Sequence, residues 1–515
     1  MTDIKSEKDP PTERVAPFHY DARGQQCFTW TLTDCKITDP VQLRIGPDLI
    51  LPVIFIPGVM GSNLRSVSEP GGDQPESVWR LDNGFAGIPT HLLSQWMNQS
   101  AGIRQTVLHT DRVEVDDQGA VPDVPLGMVQ ENGQLLPAAR KAALGERYRE
   151  RGWGEVGQTS YERFLRWLEH VLNSPTVPRH ENYALELEDR HWEDPKATYR
   201  RLKPGVDVFI MEAAICGIIH GVMPTNGAPV AYRRCKVGMR DEDYGTSLVI
   251  GGSGQEVTAV FAQSPGALQL LPTRRYSPGW LKLLREEQSR TTPAMPAVPS
   301  PSQCPYETIY LERHRWWGLV KEEWLAPKGG TAIEWTHYTR AIGFAKEFHE
   351  ELGTYYHPNT YVFYGSDTKF ASFESIRWTI RPGLRPARVT QPPIPIEALH
   401  EARNSDIQHN GRTPLYARGQ SRFASPSLRY VDATSPPEKL QYSDWELHCE
   451  MQDGIGDGTV PISSGRAPID QAKRGQVKEQ IEMLGFEHEG PFRNEMVKQI
   501  TLQWILKLAA QARKS

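Results

Sequence analysis

Three short strings in this 515-residue chain hold the residue types that nucleophilic acyl chemistry requires. The first is PVIFIPGVMGSNLR, residues 52–65, an apolar run that stops at Pro57-Gly58 and turns through Val59, Met60, Gly61 and Ser62. Backbone N–H groups presented there, at the carboxyl edge of a sheet, are what a developing tetrahedral oxyanion needs, and Val59 and Met60 are the candidate donors. A tight glycine turn after any strand reads the same way. The second string is QDGIGDGTVP, residues 452–461, whose glycines allow a sharp turn that leaves the Asp457 carboxylate pointing from a strand end. A carboxylate so placed can hold an imidazole in one tautomer and stabilise its charged form. A calcium loop is the rival reading, but the string lacks the third, fifth and twelfth ligands of an EF-hand, and plain turn chemistry is a further alternative. The third string, GFEHEGPF, residues 485–492, presents His488 on a loop just before the last helix, as a general base or as a solvated loop histidine.

These groups need rigid elements behind them. Leu51–Ile56 is rich in Val and Ile and reads as a strand buried on both faces of a parallel sheet. Further strands are expected at Gln26–Leu32, Val41–Ile45, Val206–Met211, Ile215–Ile219, Leu248–Ile250, Glu256–Gln263 and Asn359–Tyr364. Apolar residues at helical spacing predict helices over Tyr161–Leu172, Tyr338–Leu352 and Phe492–Ala510. Residues 66–145 are Gly-, Pro- and Gln-rich with weak periodicity and are expected to wrap the core as irregular structure. Thr291–Pro305 and Arg381–Pro395 each carry five prolines and have the composition of linkers or lid loops.

Bulk composition narrows the function classes. A net charge of −5 offers no basic field for nucleic acid. The six cysteines show no C-x-x-C pair and no zinc spacing, which reads as structural thiols made in a reducing compartment. The polar N-terminus MTDIKSEKDPPTER has no apolar signal region, and no run approaches the ~20 residues of a membrane span, so synthesis in the cytoplasm is expected. Trp316 and Trp317 could line a pocket, but core packing is the better reading of so many tryptophans.

PVIFIPGVMGS, IIHGVMPTNGAP, DGTVP and the late loop histidine together resemble the lecithin:cholesterol acyltransferase-like α/β-hydrolases, and within them the bacterial lipase effectors exported by type VI secretion. The resemblance spans roughly residues 45–173 and 215–510. It implies an α/β-hydrolase fold, a mostly parallel sheet flanked by helices: an N-terminal leader over 1–48, then the hydrolase domain over 49–515 with lid or insertion segments around 66–145 and 265–410. It implies Asp457 as triad acid, His488 as general base, and Val59 and Met60 at the oxyanion hole. The implied substrate is a glycerophospholipid or other lipid ester at a membrane surface. No metal or organic cofactor is implied, and the implied partners are a secretion spike and an immunity protein.

One departure bears on activity. The family carries its serine in a G-x-S-x-G elbow or near variant, and this sequence has none. The nearest string, Gly251-Gly252-Ser253-Gly254, is followed by Gln255 and reads as a glycine-rich turn without a following helix. Only 41 residues separate Asn173 from Ile215, too few for the expected strands and helices, and Val206–Met211 would place the elbow near Glu212. Ser62 is an outside candidate for a displaced nucleophile. Two functions are therefore carried forward: a lipase-type ester hydrolase, and a hydrolase scaffold that has lost its nucleophile and binds lipid or protein.

Overall fold

The computed structural model describes residues 53–67, 74–82, 88–122, 148–173, 215–287, 290–382, 403–415 and 445–512, with isolated short pieces at 14–16, 18–20, 26–28, 41–43, 84–85, 145–146, 427–429 and 438–440. Val206–Met211 and Glu212 lie outside the described residues. The chain divides into two compact units, one of residues 1–55, 167–216 and 505–515, the other of 56–166 and 217–504. In the first, Arg14–Ala16 pairs in parallel with Val41–Leu43, and Phe18–Tyr20 pairs antiparallel with Gln26–Phe28.

The second unit is α/β. Its first layer holds β1 (Leu64–Ser66), β2 (Ser77–Trp79) and β3 (Val113–Val115) in the order β2-β1-β3, with helices α1 (Thr90–Trp96) and α2 (Ala101–Val107) between β2 and β3. The irregular wrapping expected for 66–145 is thus corrected over the residues described. Periodicity is weak there because these elements are three to seven residues long. Asn63 fixes the layer: fully buried, it donates to the carbonyls of Gly154 at 2.8 Å and Val156 at 3.3 Å and accepts from the Leu81 amide at 2.9 Å. Every polar atom of that side chain is satisfied, as burial demands.

α3 (Gln158–Asn173) follows, then β4 (Ile218–Gly221) and helices α4 (Pro229–Val237), α5 (Tyr244–Ile250) and α6 (Gly254–Phe261). The strands expected at 248–250 and 256–263 are helical instead. The β-branched Val257, Thr258 and Val260 suggest a strand, but a capping box at Ser253 and Glu256 starts a helix. Thr258 Oγ1 donates to the Cys235 carbonyl of α4 at 2.8 Å, so tertiary packing overrides propensity.

β5 (Leu281–Glu287), β6 (Arg290–Pro293), α7 (Trp335–Leu352), β7 (Thr360–Gly365), β8 (Asp367–Ser372), β9 (Ile376–Pro382), β10 (Arg412–Leu415), β11 (Trp445–Cys449), β12 (Gly454–Gly456), α8 (Ile462–Gln471), β13 (Val477–Met483) and α9 (Glu495–Ala512) complete the order. β4-β7-β13 is a three-stranded, wholly parallel sheet. β7 is buried along its whole length, which suits a central strand. A five-stranded mixed sheet, β6-β5-β9-β11-β10, has one parallel pair, β5 with β9. Trp316, Trp317 and the β9 residue Trp378 are buried in one core cluster, so Trp316 and Trp317 serve packing. Burial pushes the thiols of Cys235 and Cys449 up to about 12, as befits structural cysteines.

The reading of 51–56 as a buried strand is not met over the residues described. Val53–Ile56 joins no ladder, and Ile54 and Ile56 are 51% and 82% exposed. An apolar run becomes a strand only when neighbouring strands pair with it in a ladder, and among the described residues Val53–Ile56 carries no such pairing.

Lys236 in α4 is completely buried, and among the described residues no carboxylate bonds it. Its Nζ donates to the carbonyls of Trp316 at 3.1 Å and Gly318 at 2.7 Å and to Asn404 Oδ1 at 2.6 Å. Burial, and after it the neighbouring Lys321 ammonium, pulls its pKa down to about 7. With the folded pKa below the unfolded one, the folded chain holds fewer protons between pH 7 and 10.5, and stability rises with pH there. Denaturant midpoints should therefore climb across that window in the wild type and climb less in Lys236→Met. That variant should also lose roughly 2–6 kcal/mol at high pH, since the neutral amine has two N–H groups to give and the two acceptors that take them are left unsatisfied. Parallel pH profiles for the two proteins would sink the assignment.

Candidate active site

Asp457 follows β12, far along the chain from β7, and yet the two strand ends meet. β8 and β12 pair antiparallel and form the neck through which the intervening segment leaves and returns. At the base of that neck Gly365, the last residue of β7, lies against Asp457: a Cβ on Gly365 would stand 2.7 Å from Asp457 Cβ. Only glycine allows this approach. Ser372 Oγ locks the returning turn, accepting from the Gly458 amide at 3.0 Å and donating to the Val460 carbonyl at 3.2 Å.

The Asp457 carboxylate is 1% exposed and fully engaged. Oδ1 accepts from the amides of Thr459 at 3.0 Å and Val460 at 2.7 Å, and Oδ2 meets His488 Nδ1 at 2.9 Å. The His488 amide also donates to the Asp457 carbonyl at 2.8 Å. An ionised carboxylate accepts only, so Nδ1 carries the proton and Nε2 keeps its lone pair. The ring is half-exposed, and among the described residues no hydroxyl bonds to Nε2. Such an imidazole can take a proton from an attacking hydroxyl and hand it to a leaving group.

Phenylalanines on either side of His488 anchor its loop. Phe486 packs edge-on against Phe363 of β7, with ring centroids 6.4 Å apart; Phe492 meets Phe363 at 5.9 Å and stacks on Phe164 of α3 at 4.2 Å. These aromatic pairs fix both ends of a loop that has little regular structure. The string GFEHEGPF displays that spacing, whereas no local signal marks Gly365 or Ser372.

Val59 and Met60 form the middle of a turn closed by the Gly61 amide donating to the Gly58 carbonyl at 2.9 Å. Met60 has φ +69°, a left-handed conformation that a side chain makes costly. Its carbonyl is held by Trp79 Nε1 at 3.0 Å. Among the described residues neither the Val59 nor the Met60 amide has an acceptor, and both residues are about half exposed. Two ordered, unengaged N–H groups on a fixed turn can receive an anion. The structure thus brings Asp457 and His488 into contact and places Val59 and Met60 on an open turn.

Ser62 pairs in an isolated bridge with Val156. Ser253, expected to precede no helix, in fact caps α6: its Oγ accepts from the Glu256 amide at 3.4 Å. That use explains the glycine-rich turn. His220, one residue before the end of β4, is pushed down to about 4 by desolvation and stays neutral at physiological pH. Among the described residues no helix is long and apolar enough to cross a membrane.

Compared with solved structures, the chain is similar to one in the crystal structure of the Tle4–Tli4 complex, with TM-score 0.61 and 22% identity over 90% of this chain and 99% of that one. At this identity the likeness establishes a shared fold. No protein-family model and no curated protein matches the sequence.

Proposed function

We propose that the chain is a lipase-type carboxylic ester hydrolase acting on membrane glycerophospholipids. The observation that carries this reading is the Asp457–His488 contact at 2.9 Å, next to the carboxyl end of the buried parallel strand β7. Open α/β sheets keep their chemistry at that edge. In this reading the fold is the α/β-hydrolase fold, with lid or insertion segments around 66–145 and 265–410. Asp457 orients the imidazole, His488 is the general base, and the Val59 and Met60 amides receive the oxyanion. A serine attacks the ester carbonyl, and its proton passes to His488 Nε2. The tetrahedral adduct expels the alcohol, which takes that proton, and water then releases the fatty acid.

The likeness to a chain solved in complex with a second protein supports a protein partner here too. We place the chain among effectors exported by a type VI system, with a secretion spike and a neutralising immunity protein as partners. The missing G-x-S-x-G favours a second reading, a hydrolase scaffold that binds lipid or protein without turning it over.

A fluorophosphonate probe separates the two. A hydrolase should be tagged on one serine, with labelling lost in His488→Ala, and peptide mapping should name that serine. Ser62 is the first to examine, because the Ser253 hydroxyl already serves as a helix cap. No tag and no release of fatty acid from phosphatidylethanolamine–phosphatidylglycerol vesicles would leave the binding-module reading standing.

A further inference from the structure

We infer that Tyr161 is the positioning residue that holds the 58–61 turn in its anion-receiving shape; the inference rests on the ester-hydrolase reading of that turn. Left to itself, the turn should not keep its form. Met60 sits in the left-handed region at φ +69°, which its Cβ disfavours, and the Val59 and Met60 amides gain no internal hydrogen bond among the described residues. The surroundings must over-determine it. Trp79 Nε1 holds the Met60 carbonyl at 3.0 Å from one side. From the other side α3 and the residue just before it make two connections. The Gly157 amide donates to the Gly61 carbonyl at 2.8 Å, and one helical turn later the Tyr161 hydroxyl accepts from the Gly58 amide at 3.4 Å.

The phenol tip fills the concave side of the turn. A Cβ on Gly61 would lie 2.8 Å from Tyr161 Oη, which is why glycine follows Met60. The hydroxyl also lies within electrostatic reach of Glu489, the residue after His488. Burial first, and that carboxylate in addition, hold the phenol above its ordinary pKa, so it remains a neutral hydroxyl. Because the hydroxyl bonds the turn and not the substrate, its loss should slow the step that develops negative charge and leave ground-state binding alone.

The test is Tyr161→Phe, which keeps the ring and removes the oxygen. Amide hydrogen exchange at Gly58 and Gly61 should accelerate roughly tenfold or more, while Asn63 and Asp116 in the adjoining layer exchange as in the wild type. With a short-chain nitrophenyl ester, kcat should fall roughly tenfold with KM within about twofold. Unchanged exchange at Gly58 and Gly61 in a normally folded variant would overturn the inference. So would a change in KM alone. Exchange is read without turnover, so it still decides the role of Tyr161 if the wild-type chain hydrolyses nothing. That last result would count against the hydrolase reading alone.

Discussion

His488→Ala and Asp457→Asn should each lower ester turnover by about 10³–10⁴-fold while leaving the thermal midpoint within a few degrees of the wild type. The reasoning for the aspartate runs through its two oxygens. Oδ1 is committed to the Thr459 and Val460 amides, so only Oδ2 can accept the His488 Nδ1 proton. An asparagine that keeps its carbonyl oxygen on the two amides must turn its NH₂ toward the ring, which then accepts at Nδ1 and carries its proton on Nε2. The base is lost although the geometry survives. Combining the two substitutions should cost little more than either alone, because the pair acts as a unit. Hydrolysis of a short-chain ester and of phospholipid vesicles, measured beside circular dichroism melting curves, checks both halves. Full activity in both variants would place the chemistry elsewhere in the molecule.

Gly365→Ala should damage stability and activity together, which makes it the second large effect. The added methyl would stand 2.7 Å from Asp457 Cβ and 3.3 Å from Asp457 Cα, at the end of a strand buried along its length. Neither partner can yield easily. β7 is paired on both sides, by β4 and β13, and the Asp457 turn is pinned by Ser372 and by its own carboxylate. Overpacking of this kind costs roughly 1–3 kcal/mol, and relief must come from moving Asp457 away from the sheet. Even a 1 Å displacement of the carboxylate would break its alignment with His488, so turnover should fall about a hundredfold in whatever fraction remains folded. Urea unfolding and kcat measured on the same preparation test this. A variant as stable and as active as the wild type would mean that Asp457 is not held by this contact.

The site was only partly legible in the sequence. The strings around Asp457 and His488 announce themselves because turn chemistry is local: glycines beside an aspartate, and a histidine between two phenylalanines. Their meeting joins residues 31 positions apart, and the order of the strings was enough to anticipate it. The contact between the Gly458 amide and Ser372, 86 positions apart, was not foreseeable, because nothing near Ser372 marks it. Tyr161 was visible only as the start of an amphipathic helix. Its role depends on which way the helix presents the phenol, and periodicity does not specify that.

Local signals alone specify the α3, α7 and α9 helices, the buried β7 strand, and the chain order of turn, acid and histidine. Each of these follows from apolar spacing or from glycine and proline at fixed positions, and such signals act over a few residues. The folded arrangement makes 254–261 a helix, because a capping box and the carbonyl of Cys235 outweigh a β-branched composition. Only it decided that Val53–Ile56 joins no ladder among the described residues, since a strand exists through its neighbours' hydrogen bonds and not through its own hydrophobicity. The closest approach in the site, Gly365 against Asp457, belongs to the same class. A vacant Cβ position leaves no pattern in a sequence until the group that fills the space is known.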